Sequence, residues 1–208
     1  MSLIRLHSDE GQRLLHEAQL SGSSQPFLGE SFSKQSGSAS CGVQSVALLL
    51  SAALHSDPPL TDNDLLKSPQ ITEYLTNKTN FPTGAGLSLE EVHELIMQCG
   101  HEADIHFASD CSISEFRSMA TALLSDATSQ VGVIVNYHMG TLGQDSTYGH
   151  HSPLGAYHKT TDRFLIYDCW PETLECWATA SDLHGGMLQD DSDSGKPRGF
   201  IVIRKFTK

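Results

Sequence analysis

Apolar residues recur along this chain with two spacings, and the change from one to the other divides it. Residues 9–20 have helical spacing and predict a short amphipathic helix. From Gly42 onward, Val43, Val46, Ala47, Leu50 and Leu54 keep that spacing, so the helix they form faces a core. It stops before "HSDPP" (55–59), where proline closes it. Short helices are expected near 61–67 and 70–76. "GLSLEEVHELIMQCG" (86–100) is a helix with a capping box, Ser88 with Glu91, and Gly100 to end it. "CSISEFRSMATALLS" (111–125) repeats the device with Ser112 and Glu115. The second half changes character. "VGVIVNY" (131–137), "SPLGAYH" (152–158), "RFLIYD" (163–168) and "GFIVIRKF" (199–206) are β-branched or aromatic, bounded by turn residues, and read as strands. Helices first and strands later predict an α+β fold: one unit over 1–208, helical over about 1–127 and sheet over about 128–208, a helical layer on an antiparallel sheet.

Composition narrows the partners. A chain of 208 residues, 38% hydrophobic and 18% charged, is long enough for a substantial core. A net charge of -12 with no Lys/Arg run argues against nucleic acid, which needs a clustered basic face. Part of the acidity is local, in "LQDDSDSGK" (188–196), a solvated loop or a weak cation site. No apolar run approaches the roughly 20 residues of a membrane helix. "MSLIRLHSDEGQRLL" lacks a signal-peptide core, so a cytoplasmic location is the default expectation. Five cysteines, at 41, 99, 111, 169 and 176, form no CxxC pair; they disfavour a disulfide scaffold and leave room for a reactive thiol. "SGSSQPFLGESFSKQSGSAS" (21–40) reads as a flexible linker or as irregular backbone shaping a site before Cys41.

A thiol attacks only as thiolate, and its unperturbed pKa is about 8.5. The free N–H groups at a helix N-terminus favour the anion. Cys41 stands at that point, and Gly42 after it lets a substrate approach the backbone closely. Small cysteines on core helices are common too, so position alone also fits packing. A nucleophilic thiol needs a base. Among eleven histidines, His150 stands out, 18 residues before Asp168 in "TYGHHSPLGAYHKTTDRFLIYD". With an odd loop centred on Thr160, residue 150 pairs with 170 and 152 with 168. His150 and Asp168 are then diagonal neighbours on one face, about 7–8 Å apart, and Asp168 can orient the imidazole. The same spacing fits a loop histidine and a solvent-facing aspartate. Gln35 offers a side-chain amide for an oxyanion hole, worth roughly 3 kcal/mol in a transition state, though glutamine in so polar a stretch is commonly just exposed. His150 and His151, adjacent in a strand, point to opposite faces and do not readily share an ion.

In order, Gln35, Cys41, His150 and Asp168 resemble the papain-like succession of Gln, Cys, His and Asn or Asp. "SASCGVQSVALLLSAAL", "GLSLEEVHELI", "FASDCSISEFR", "VIVNYHMGTLGQ", "GHHSPLGAYHKTTDRFLIYD" and "RGFIVIRKF" are similar to the catalytic domain of phytochelatin synthases. The similarity is strongest to the short bacterial members without a Cys-rich C-terminal domain, and it runs from about residue 6 to 206. Its specific parts are the Cys-Gly helix start and the Gly-His-x-Ser-Pro strand.

The resemblance implies a papain-like fold and an enzyme that attacks the Cys–Gly bond of glutathione. Glycine leaves, a γ-glutamylcysteinyl thioester forms, and the acyl group passes to water or to a second glutathione. It implies Cys41 as nucleophile, His150 as general base and later acid, Asp168 as orienter and Gln35 as oxyanion donor. The family's Asp and Arg at the γ-glutamyl group correspond to Asp191 and Arg198, seven residues apart; Gly42 and Ser152 join them as substrate-binding residues. No cofactor and no metal ligand is implied; Cd²⁺ or Zn²⁺ enters as a thiolate complex of glutathione. Where relatives carry a basic, aromatic segment after the Asp, this chain has "CWPETLECW" (169–177), with two glutamates and no Lys or Arg. An anionic second glutathione loses its cations there, which favours hydrolysis over chain-extending transfer. Trp170 and Trp177 are expected to cover the cleft or to serve as core. Full phytochelatin synthesis, a general papain-type peptidase and a non-catalytic thiol or metal module remain the rivals, and a homodimer is left open.

Overall fold

The computed structural model describes residues 3–83, 86–125, 132–192 and 194–205. Val131, Asp193 and Phe206, which fall in expected segments, lie outside them, as does the expected helix-to-sheet boundary near 127–128.

Among the described residues one antiparallel sheet holds seven strands: β1 (Ile4–Arg5), β2 (Glu102–Phe107), β3 (Gly132–His138), β4 (Gly149–His158), β5 (Arg163–Ile166), β6 (Cys176–Thr179) and β7 (Gly199–Lys205). Their spatial order is β1-β6-β5-β4-β3-β7-β2. The helices are α1 (Asp9–Leu20), α2 (Pro26–Glu30), α3 (Cys41–Leu54), α4 (Asp62–Leu65), α5 (Pro69–Lys78), α6 (Leu89–Gln98), α7 (Ile113–Leu124) and α8 (Ala180–Met187).

Successive strand residues point to opposite faces, and both faces are covered. Ile134, Ile201 and Leu165 meet α1, α3 and α6 in one core, while Val133, Val135, Phe164 and Phe200 meet α7 and α8 in another. That double burial is why β3 reads as an unbroken apolar run. Helix α3 goes further than its spacing suggests, since twelve of its fourteen residues are buried. Truncating a residue such as Leu48 there would cost about 2–5 kcal/mol. Of its polar members, Gln44 and Ser51 bind Ser33 and the Leu60 backbone, whereas the buried Ser45 Oγ has no hydrogen-bond partner among the described residues.

The expected β4–β5 hairpin exists with a different turn. Pairing runs His158 with Arg163, Tyr157 with Phe164 and Ala156 with Leu165, so the loop is even rather than odd. Asp162, at φ 52, closes it. A register shift between Leu154 and Ala156 then puts Leu154 opposite Ile166, the register that the odd loop would have produced. Gly155 sits at this bulge, where a Cβ would come within 2.0 Å of the Tyr167 ring. The bulge therefore compensates for the turn, and Asp168 still arrives beside His150.

Helix and sheet do not separate cleanly along the chain. Strand β2 comes from the first half and α8 from the second. Both capping boxes, Ser88 with Glu91 and Ser112 with Glu115, are present.

Candidate active site

Residues 33–40 reach Cys41 as irregular backbone tied down by buried side chains. Asp62, fully buried, accepts from Ser36 N at 2.9 Å and Ser36 Oγ at 2.7 Å. Gln44 donates to Ser33 O at 3.1 Å and accepts from Asp62 N at 2.8 Å. Gln35 N–H donates to Cys169 O at 2.9 Å, stitching the loop to the chain after β5. This stretch is a shaped approach and not a free linker. Ser40 is the N-cap of α3 without a side-chain hydrogen bond, so the first-turn N–H groups remain available to an anion.

Strand β4 brings two imidazoles to the thiol. His150 Nε2 lies 3.0 Å from Asp168 Oδ1, both side chains being buried. His151 Nδ1 lies 3.8 Å from Cys41 Sγ. Strand alternation does place the two rings on opposite faces: His150 meets Tyr137 edge-on at 5.8 Å, and His151 Nε2 accepts from Asn136 Nδ2 at 2.9 Å. Both nevertheless line the same cavity. They are the second and third residues of β4, and the cavity wraps around that strand end.

Asp168 collects donors. Oδ1 also accepts from Trp170 N at 3.0 Å and Thr173 Oγ1 at 2.6 Å, and Oδ2 from Tyr137 Oη at 3.1 Å and Gln144 Nε2 at 2.5 Å. Burial works against its charge, but the hydrogen bond and charge of His150, then Thr173 and Trp170, hold the carboxyl well below the usual range. Burial likewise pulls His150 down; Asp168 first, with Cys169 and Cys41, outweighs it and raises the imidazole well above its ordinary value. At Cys41 burial pushes the thiol up, while hydrogen bonds and charge from His150 and His151 outweigh it, and the net direction is well below an ordinary thiol. Thiolate and imidazolium are the favoured forms of this pair.

The cavity holds about 500 Å³, within the range of small-molecule sites. Cys41, Asn136, His150, His151, Asp191 and Arg198 all line it. Arg198 is buried, with Nη1 donating to Gln189 O at 3.0 Å and Asp190 O at 2.5 Å, and Nη2 lies 3.5 Å from Asp191 Oδ1. Gly149 makes room for this guanidinium, since a Cβ there would fall 2.7 Å from Arg198 Nη2. The Gly-His and Arg-Gly motifs thus meet in space. Trp170 lines the cavity and faces His150 edge-on at 6.4 Å, whereas Trp177 is core and donates to Gly11 O.

Three expected residues stand back from the cavity lining. Gly42 has Val92 Cγ2 2.6 Å from where its Cβ would be, so its small size serves the packing of α3 on α6 instead of an approach to the cavity. Ser152 is enclosed beside the Tyr137 hydroxyl, behind Asp168. Gln35 is buried, donates from Nε2 to Gly37 O at 2.7 Å and accepts at Oε1 from Cys169 Sγ at 3.5 Å. The two glutamates of 169–177 also differ: Glu172 is exposed, but Glu175 is buried against Lys34 at 2.9 Å and His7 at 3.0 Å. Among the described residues no group of three or more His, Cys, Asp or Glu is arranged to hold a metal ion. No helix among them is long and apolar enough to cross a membrane.

The model of the phytochelatin synthase family matches residues 1–200. The chain belongs to the phytochelatin synthase family. Glutathione gamma-glutamylcysteinyltransferase 1 of Lotus japonicus is 29% identical over 212 residues, covering 95% of this chain and 40% of that protein. Its Arabidopsis thaliana namesake is 29% identical over 216 residues, 97% of this chain and 42% of the relative. The chain thus spans about two fifths of the length of these curated relatives. Among solved structures, a C39-like peptidase from Bacillus anthracis superposes with a TM-score of 0.54 at 13% identity, over 85% of this chain and 95% of that one. At that identity the likeness speaks for the fold alone, which is α+β and papain-like.

Within this family frame, sequence reasoning passed over Asn136, His151, Cys169 and Asp62. Asn136 had a signal: it is the one strongly polar side chain in the apolar run "VGVIVNY". For His151, strand alternation speaks only against an ion shared with His150 and is silent on its place beside the thiol. Cys169 and Asp62 carried no pattern; only the folded chain brings them to the site.

Proposed function

We propose that this phytochelatin synthase family member cleaves glutathione at the Cys–Gly bond through a thioester on Cys41 and passes the γ-glutamylcysteinyl group mainly to water. The observation that carries this reading is the Cys41 thiol, held low in pKa at an uncapped helix start beside an imidazole whose far nitrogen is 3.0 Å from a buried carboxylate.

The steps follow from that geometry. Asp168 occupies His150 Nε2, so Nδ1 is the nitrogen that exchanges a proton with the reacting groups. The Cys41 thiolate attacks the carbonyl carbon of the substrate's cysteine. Negative charge then develops on that oxygen, against the Cys41 backbone N–H and the second Nε2 hydrogen of Gln35, the first being given to Gly37. His150 imidazolium hands its proton to the departing glycine nitrogen as the C–N bond breaks. In the second half His150 takes a proton from water, which opens the thioester and returns the thiolate. Arg198 supplies a guanidinium for the substrate's α-carboxylate and Asp191 a carboxylate for its α-ammonium.

Two features support water as the acceptor. Among the described residues lining the cavity, Arg198 is the one Lys or Arg. Lys34, which bonds the chain around the 169–177 segment, is spent on Asp168 O, Thr173 O and Glu175. A second glutathione, net anionic and carried as a Cd²⁺ or Zn²⁺ thiolate, finds no free cation in that lining.

Mass spectrometry of intact protein with glutathione tests the reading through a γ-glutamylcysteinyl adduct on Cys41. Product analysis with and without trace Cd²⁺ separates the modes. Free γ-glutamylcysteine and glycine support hydrolysis, and γ-glutamylcysteine oligomers would show full phytochelatin synthesis. Comparable cleavage of ordinary α-linked peptides would point to a general peptidase. Cd²⁺ binding without adduct or turnover would leave a thiol module.

A further inference from the structure

His151 is the part of this site that the mechanism leaves without a task. It is buried, with Nδ1 3.8 Å from Cys41 Sγ and Nε2 2.9 Å from Asn136 Nδ2. An amide nitrogen only donates, so His151 Nε2 is the acceptor and the ring proton sits on Nδ1, facing the sulfur. His150 is wired the opposite way. Its Nε2 meets a carboxylate, which only accepts, and a carboxylate favours imidazolium.

We propose that His151 is a second catalytic residue of the Cys41 site, an imidazole that donates from Nδ1 to the sulfur while Asn136 holds the ring in place. The inference rests on Cys41 being the nucleophile. The two rings then divide the work. His150, on Asp168, transfers the proton; His151, on Asn136, hydrogen-bonds the sulfur and stabilises its negative charge. That charge is present before attack and again when the thioester opens and the sulfur leaves as thiolate. No bond to hydrogen is made or broken at His151 in either step. Asn136 Oδ1, buried and without a hydrogen-bond partner among the described residues, belongs to a side chain that lines the cavity, where a substrate N–H would complete it.

The titratable groups around His151 are Cys41 on α3, His150 on its own strand, Cys169 on the chain after β5, whose Sγ donates to His151 O at 3.5 Å, and Asp191 and Arg198 across the shared cavity. Nitrogen NMR on the wild-type protein reads the ring directly. At pH 7 His151 should show a proton on Nδ1, and His150 protons on both nitrogens. A His151 ring with a bare Nδ1 overturns the proposal. In a second test, alkylation of Cys41 by iodoacetamide is followed against pH at the Cys41 peptide by mass spectrometry. His151→Phe should raise the midpoint by about one pH unit and lower glycine release about tenfold with KM retained, the weight of one hydrogen bond to a charged group. His151→Gln, whose amide donates, should recover most of both. An unmoved midpoint in His151→Phe overturns the proposal as well. Cys41→Ser separates the layers: if it keeps turnover, the nucleophile reading itself fails. If it abolishes turnover while His151→Phe changes neither midpoint nor rate, only the role of His151 fails.

Discussion

Cys41 and Cys169 are both buried free thiols beside His150, and they ionise in opposite directions. Burial pushes both up. At Cys41 the imidazoles reverse that push, with an uncapped helix start behind the sulfur. At Cys169 the pull of His150 does not suffice, and the negative charges of Cys41 and Asp168 add to burial. The neighbours of Cys169 Sγ are mostly acceptors: Gln35 Oε1 and His151 O at 3.5 Å, and Cys41 O at 3.8 Å. Oxygen acceptors stabilise an S–H; nitrogen donors stabilise a thiolate. Nearness to a histidine therefore does not make a thiol reactive. The hydrogen-bond polarity of its other neighbours decides.

Removing the sulfur that carries the charge is the harshest way to break this contrast. Cys41→Ser should lower glycine release from glutathione by about 10⁴-fold or more, the scale of losing a nucleophile, and the γ-glutamylcysteinyl adduct should vanish from the intact mass. Turnover near wild type would leave Cys169 as the remaining thiol at the site and invert the assignment.

The two thiols also show how far the sequence could be read. Cys41 was legible because a glycine, a helix-spaced apolar run and a closing "HSDPP" mark a helix start without any tertiary information. His150 and Asp168 were legible through hairpin spacing, although the right register is reached by an even turn plus a bulge at Gly155. Strands β1 and β6 were not seen, being two and four residues long. Strand β2, "EADIHF", is a sheet edge with an acidic start and only partial burial, so its alternation is blurred. In the sequence Cys169 is only one of five cysteines that form no CxxC pair. Its acceptors come from 35, 41 and 151, which nothing local to "DCWPETLECW" reveals.

Alkylation sharpens the contrast with both cysteines intact. At pH near 6.5, iodoacetamide should modify Cys41 at least about tenfold faster than Cys169, because the one thiol is shifted toward thiolate and the other away from it, read peptide by peptide in a mass spectrometer. The signs can be followed in stability too. The lowered Cys41 pKa contributes stability that is full above about 8.5, its unfolded value, and is lost as pH falls through the folded value. The raised His150 pKa contributes stability that is full below about 6.5 and is lost as pH rises through its folded value. Equal labelling of the two thiols in the native protein would remove the distinction.

Asp168→Asn should act next in size, lowering turnover about 100-fold, less than His150→Ala. The amide oxygen can still receive His150 Nε2, Trp170 N and Thr173 Oγ1. Its NH₂ would face the Tyr137 hydroxyl, which can accept, and Gln144, whose buried Oε1 lacks a hydrogen-bond partner among the described residues and can turn toward it. Orientation survives and the charge does not, so the Cys41 alkylation midpoint should rise. A loss as deep as that of His150→Ala would show that orientation, not charge, had failed.

The smallest effect is expected from the second thiol itself. Cys169→Ala removes a sulfur that lies 3.9 Å from His150 Nε2 but faces carbonyl oxygens. The loss should appear as about 1 kcal/mol of stability from a small void in a close-packed region, with glycine release within about threefold of wild type. The Cys41 midpoint should stay or rise slightly, because Cys169 adds little to the support that Asp168 gives the His150 imidazolium at 3.0 Å. Denaturation curves and glycine release, measured on the same preparation, separate the two outcomes. A fall in turnover comparable with Cys41→Ser, at unchanged stability, would mean that Cys169 exchanges protons with His150 during the reaction, and that its acceptor-rich surroundings do not hold it neutral after all.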